Sequence, residues 1–291
     1  MQPRLHPHAL VLLVAMLLIS GCGGPKQVTY VDPNGASAGI NAMDVTMPVA
    51  DFGAAAMERA KAIVRLRGAL MTARSLAASD SEGAAEVIDR AIRDDLPLVE
   101  ARASRSDPQL ALTLRSGFEE LRDTAPAAAV YARKARQLSD RYLAQVEQLV
   151  IPAKAREDTG FRVVVLYETL LQAASSYEAA MDGGSSLVEV DDYHEAYGLM
   201  TVVTTRLLDT VPPTQRPQAR SKLMQLSRRV FPGPTVQGQP RDSEGVVNEV
   251  TTMADDLITA LGVDPTYPEP HAATADRLRS FKRAVASLVE S

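Results

Sequence analysis

Thiols and tryptophan are nearly missing from this sequence: 291 residues hold one cysteine and no tryptophan, and aromatic side chains make up 4%. A lone cysteine excludes an intrachain disulfide framework and any thiolate metal cluster. Scarce aromatics argue against a groove that stacks nucleobases or sugars. Basic residues are not in excess, since Lys+Arg at 31 against Asp+Glu at 36 gives a net charge of −5. Such a chain has no global basic field for nucleic acid. Catalytic motifs are scarce too: the sequence contains no P-loop or GxGxxG. His194-Glu195-Ala196-Tyr197-Gly198 begins like HExxH, but Gly198 stands where the second histidine must be. What remains, 46% apolar and 23% charged, is the composition of a globular protein.

The N-terminus carries an address. Arg4 and the amino group form a positive start, and Ala9 to Ile19 is an unbroken apolar run. That run is shorter than the roughly 20 residues a membrane-spanning helix needs and fits a secretory signal. Ile19-Ser20-Gly21-Cys22 then resembles the lipobox of bacterial lipoprotein precursors, with Ile where Leu is commoner. The resemblance implies that residues 1–21 are a signal peptide, cleaved before Cys22. It also implies diacylglycerol on the Cys22 sulfur and an acyl chain, such as palmitate, on its amine. The expected location is the cell envelope, with the membrane as a partner through this lipid. Gly23 follows the cysteine where an Asp would resemble an inner-membrane retention signal. In a double-membraned cell the expected site is therefore the periplasmic face of the outer membrane, and otherwise the outer leaflet of the cell membrane. A mature chain without thiols suits an oxidising compartment.

Residues 22–48 are rich in Gly, Pro, Ser and Asn without periodicity and read as a lipidated tether. From Val49 the apolar period is helical. Stripes run through Ile63, Leu66 and Leu70; through Ala84, Ile88 and Ile92; through Leu110, Leu114 and Phe118; and through Tyr131, Leu138 and Val146. After a break at 151–160, further stripes run through Val163, Leu170 and Tyr177; Tyr193, Met200 and Val203; Leu223, Leu226 and Val230; and Val246, Val250 and Leu257. A last one passes through Leu278, Phe281 and Val285. Pro97 is expected to bend the second helix, and Asp107-Pro108 to open the third. The predicted fold is all-α, with two consecutive antiparallel four-helix units, 49–150 and 151–291, the second carrying a C-terminal helix. The similar order of elements in the halves points to a duplication.

Polar chemistry concentrates at Asp191, His194 and Glu195, which share one helical face at i, i+3 and i+4. One imidazole and two carboxylates could ligate a divalent cation or iron; the alternative is first-turn capping and a solvated face. Asp94, Asp95 and Glu100 form a comparable patch, which would face the first if the halves are duplicated. His271 reads as an exposed loop residue, and the recurring tyrosines as core residues with a hydroxyl at the rim.

The stretch Tyr177-Glu178-Ala179-Ala180-Met181-Asp182-Gly183, followed by Glu189 to Gly198, resembles a helical hairpin of bacterial envelope proteins and regions associated with high-affinity iron permeases. Phe231-Pro232 stands where such chains often have Trp-Pro. The permease's membrane segments and acidic REGLE-like motif are absent. Two functions are therefore expected: a non-catalytic helical binding or scaffold module with an envelope protein partner, or an accessory of metal uptake, for iron, using Asp191, His194 and Glu195. A carboxylate-only hydrolase is disfavoured by the scarcity of aromatics. Neither a catalytic residue nor an organic cofactor is assigned.

Overall fold

A computed structural model describes residues 53–123, 128–181, 184–236 and 240–263. The expected signal peptide, Cys22, the expected tether, His271 and the expected terminal helix lie outside them. The described chain is all-α, with no β-strand. The helices are α1 (Ala54–Leu76), α2 (Ser81–Asp94), α3 (Leu96–Ser106), α4 (Pro108–Asp123), α5 (Ala128–Gln137), α6 (Leu143–Val150) and a short α7 (Ala153–Glu157). They continue as α8 (Thr159–Met181), α9 (Val190–Thr205), α10 (Arg216–Val230) and α11 (Ser243–Leu261). A π turn, Leu138–Tyr142, joins α5 to α6, and a 3₁₀ turn, Leu207–Thr210, follows α9. No described helix is long and apolar enough to cross a membrane.

Helix starts follow local chemistry. Asp80, Asp107, Asp158 and Asp242 each accept a backbone N–H from the residue three positions on, at 2.7–2.9 Å. Each thereby satisfies one of the donors left without a partner at a helix N-terminus. The second expected helix is divided rather than bent: α2 ends at Asp94 and α3 begins at Leu96, with Pro97 inside its first turn. Proline is at ease there because the first-turn N–H groups have no intrahelical acceptor. At the other end of the chain, Gly262 closes α11 in the left-handed region at φ 60°.

The helices of each half pack on one another, and α1 also packs on α8 and α9 from the second half. One hydrophobic core therefore runs from Ala56 to Val263. Two helices, α1 and α8, are buried on more than one side, as Ala62, Ile63, Val64 and Leu66 illustrate on the first. Charged residues on α1 have no bulk water on several sides and are tied individually. Arg59 donates to the Val150 carbonyl at 2.8 Å, Arg67 pairs with Glu147 at 2.7 Å, and Arg65 pairs with Asp95 at 2.6 Å. Such pairing is what keeps buried guanidiniums tolerable.

Where α1 crosses α9, Gly68 meets Gly198. A Cβ on Gly198 would lie 2.7 Å from the Gly68 carbonyl oxygen and 2.7 Å from Thr72 Oγ1. The same crossing lets the Thr72 hydroxyl donate to the His194 carbonyl at 3.1 Å. Beyond it, Tyr177, Tyr193 and Phe231 form an aromatic cluster with centroids 5.4–6.3 Å apart. Tyr193 donates to the Gly233 carbonyl at 3.1 Å and Tyr177 to that of Arg241 at 3.0 Å. Those bonds fix the loop after α10 against α8 and α9.

Candidate functional site

The break between α2 and α3 leaves Asp94 and Asp95 at the end of α2, beside the first turns of α9 and the middle of α1. Between them lies a cavity of about 330 Å³. Its wall takes Arg65 and Ala69 from α1, Val87, Arg90, Ala91 and Asp94 from α2, and Asp95 from the break. The second half supplies Gln172 from α8 and Asp191, His194, Glu195 and Leu199 from α9. The acidic patches of the two halves thus meet. Glu100 is not part of the meeting, because it faces α4 and pairs with Arg115.

Guanidiniums organise the carboxylates. Asp95 holds Arg65 at 2.6 Å. Arg90 reaches Asp192 at 3.1 Å, Glu195 at 3.2 Å and Asp94 at 3.9 Å. Gln172 donates to the second Glu195 oxygen at 3.2 Å. Burial pushes the Asp95 carboxyl above the ordinary aspartate range, and Arg65 opposes this only in part. Glu195 is raised for the same reason, with the nearby Asp95 charge adding to the rise and Arg90 opposing it. Burial disfavours the charged form of Arg90, but Glu195 and Asp192 outweigh it and raise its pKa.

Asp191, His194 and Glu195 lie on one side of α9 as the spacing predicts, but they do not form a ligand set. Among the described residues no group of three or more His, Cys, Asp or Glu side chains could hold a metal ion. The physical reason is that Glu195 turns to Arg90 and Gln172, while His194 is buried at 3% exposure and Asp191 is exposed. The alternative of a first-turn, solvated face holds for Asp191, which is exposed in the first turn of α9, but not for its neighbours. Glu189 is the N-cap and makes no side-chain bond, Asp192 pairs across to α2, and Glu195 is largely shielded. Gly198, the residue that spoils HExxH, is required by the helix crossing.

Arg65 and Arg90 are the site residues that periodicity missed. Arg65 carried a signal nonetheless: a basic residue between Val64 and Leu66 on a many-sided apolar helix needs a carboxylate partner from elsewhere in the fold. Asp95 and Glu195 are two partly buried carboxyls on one cavity, and a glycoside hydrolase also works with two carboxyls. Here each is clamped by a guanidinium, and no Phe, Tyr, Trp, Ser or Thr side chain lines the cavity.

Neither ring nitrogen of His194 has a hydrogen-bond partner. Burial lowers its pKa below 6.5, against the opposing charges of Asp191 and Asp80, so folding favours the neutral ring. The sign for stability follows. As pH falls below 6.5 the unfolded chain takes a proton that the folded one refuses, so stability drops. The contribution is fully present above 6.5 and is lost toward the lowered value. Melting curves of wild type and His194→Leu between about pH 7.5 and about pH 5 should diverge, with wild type losing more. Parallel curves would contradict the burial of a neutral ring.

No family model, curated protein or solved structure matches the chain.

Proposed function

We propose that this is a lipid-anchored protein of the bacterial cell envelope, held at the membrane through Cys22, whose helical domain is a non-catalytic binding module. The observation that carries the binding reading is the cavity closed jointly by α1, α2 and α9, with charged groups from both halves of the chain converging on it. Its volume is at the lower end of small-molecule sites, which span roughly 300–1,000 Å³. A non-catalytic role is supported by the clamped carboxylates and by a wall without a Ser, Thr, Cys or Lys side chain. The tether, 22–48, would hold the domain clear of the head groups, where an envelope protein partner can also reach it.

The test is retention of a solute. The full mature chain in mild detergent is mixed with a small-molecule extract of the producing envelope, filtered and washed. Wild type should retain a solute that Ala69→Phe, which fills the cavity with an aromatic ring, does not. Equal retention by both proteins, or none by either, contradicts the proposal.

A further inference from the structure

We infer that the outer face of α10 docks on anionic phospholipid head groups, with Arg220 and Arg228 meeting the phosphates and Met224 between them. The inference rests on the lipid anchor proposed at Cys22, which brings the domain to a membrane, and adds which face of the domain meets it.

The charge of α10 stands apart from that of the chain. The whole sequence carries −5, yet α10 holds Arg216, Arg220, Lys222, Arg228 and Arg229 and no acidic residue. The helix packs on α9 and on the 3₁₀ turn, with Leu223, Leu226 and Val230 buried. Three of its basic side chains answer acidic groups of neighbouring elements. Arg216 reaches Asp209 at 3.6 Å, Lys222 reaches Asp256 at 3.7 Å, and Arg229 pairs with Glu249. Arg220 and Arg228 are exposed and have no such partner among the described residues. With Met224 they stand at i, i+4 and i+8, so the three share one side of the helix. Met224 is 36% exposed and places an apolar tip between the two cations.

Shape and charge together select the partner. The depression around Met224 is bounded by Ser221, Gln225, Arg228 and Arg229, all on α10 itself. One convex helix does not enclose a free ion, and it offers no pocket for the buried anchor residue of a protein partner. A plane of phosphates needs neither, because each guanidinium finds an acceptor wherever it lands. Met224 then enters the boundary between head groups and acyl chains, as the apolar residues of an interfacial helix do. Attraction of this kind acts within about 8 Å at physiological salt, so the face works locally although the chain as a whole is acidic. The chain from Cys22 to Gly53 reaches roughly 100 Å at full extension, so the tether that lets the domain stand clear also lets α10 settle. Anchoring keeps the local lipid concentration high, and a weak contact is then enough to orient the domain.

The experiment is co-sedimentation of the full mature chain, made as Cys22→Ala so that no acyl chain contributes, with vesicles at low salt. One set of vesicles is phosphatidylcholine alone and the other holds equal parts of phosphatidylglycerol and phosphatidylcholine. The protein should pellet with the anionic vesicles only, and high salt should release it. Arg220→Gln with Arg228→Gln should weaken binding roughly 25-fold, since each basic side chain at an anionic surface contributes about fivefold. Arg105→Gln with Arg133→Gln, on α3 and α5, removes the same charge and should change binding less than about twofold. Circular dichroism confirms that both double variants are folded. No binding to anionic vesicles, equal binding to both sets, or equal losses in the two double variants overturns the inference. Release by inorganic phosphate but not by chloride of the same ionic strength would make this a free-phosphate site, and a dimer in solution that Arg220→Gln with Arg228→Gln dissolves would make it a self-interface; either result also overturns it. If the vesicles fail while the wild type carries palmitate and Cys22→Ala does not, the anchor stands and only the docking face is wrong. If palmitate labelling fails too, the anchor falls with it.

Discussion

Gly198→Ala should destabilise the protein by about 2–3 kcal/mol, even though alanine is the better helix former by about 1 kcal/mol. The new methyl would sit 2.7 Å from the Gly68 carbonyl oxygen and 2.8 Å from its carbon, both backbone atoms that no rotamer change can move. The helices must part instead, and they are the pair that joins the halves of the chain. Parting them also pulls Thr72 from the His194 carbonyl and shifts one wall of the cavity. Gly68→Ala should cost less, since its Cβ would meet the Gly198 carbonyl carbon at 3.1 Å. Gly184→Ala, whose nearest neighbour would be the Met181 oxygen at 3.6 Å, serves as the neutral control. Thermal unfolding decides the matter, with Gly198→Ala melting roughly 5–10 °C lower. An unchanged melting temperature would mean that the crossing is not close-packed.

A loss of about 3 kcal/mol is expected for Arg65→Met, because it leaves the Asp95 carboxylate shielded and without its cation. The pair is among the most protected in the molecule, with side chains 19% and 14% exposed and a separation of 2.6 Å. The pH dependence gives a second reading. Burial already raises the Asp95 carboxyl, and removal of Arg65 takes away the charge that opposes the rise. A raised carboxyl binds its proton in the folded chain before the unfolded chain does, so the stability of Arg65→Met should recover as pH falls through that raised value. Arg65→Met with Asp95→Asn should regain most of the loss at about pH 7.5. Urea unfolding of the two variants measures both effects. A double variant less stable than the single one would contradict the assignment.

Why these features differ in visibility from sequence has a physical basis. The stripes from Ile63 to Leu257 mark the principal helices because a helix with one buried face repeats every three to four residues. The stripe through Ile63, Leu66 and Leu70 understates α1, whose Ala62 and Val64 are equally buried. A helix enclosed on several sides loses its period, so its central place in the core could not be read. Pro97 was visible as a disturbance, but the break falls at Asp95 because proline sits well in a first turn. The π turn at Leu138–Tyr142 has no local residue that announces it.

The site was half legible. Asp191, His194 and Glu195 were placed on one face by spacing, and their meeting with Asp94 and Asp95 was expected only if the halves are duplicated. In the fold, the meeting depends on α1 passing between them and on the close approach of Gly68 to Gly198. Glycine at 198 looked like a missing ligand and is in fact a packing requirement. Arg90 converts what looked like a metal-binding face into a network of fixed pairs. Its position on α2 says nothing about α9, because Arg90 and its partner Asp192 are 102 positions apart.

The proposed function depends on an anchor at Cys22, the one cysteine in the chain. The most direct measurement is the incorporation of labelled palmitate into the protein in growing bacterial cells that express it, followed by membrane fractionation. Wild type should be labelled and sediment with the membrane, whereas Cys22→Ala should be unlabelled and leave the membrane fraction. Equal labelling of the two proteins, or a wild type that is unlabelled and free of the membrane, would contradict the account.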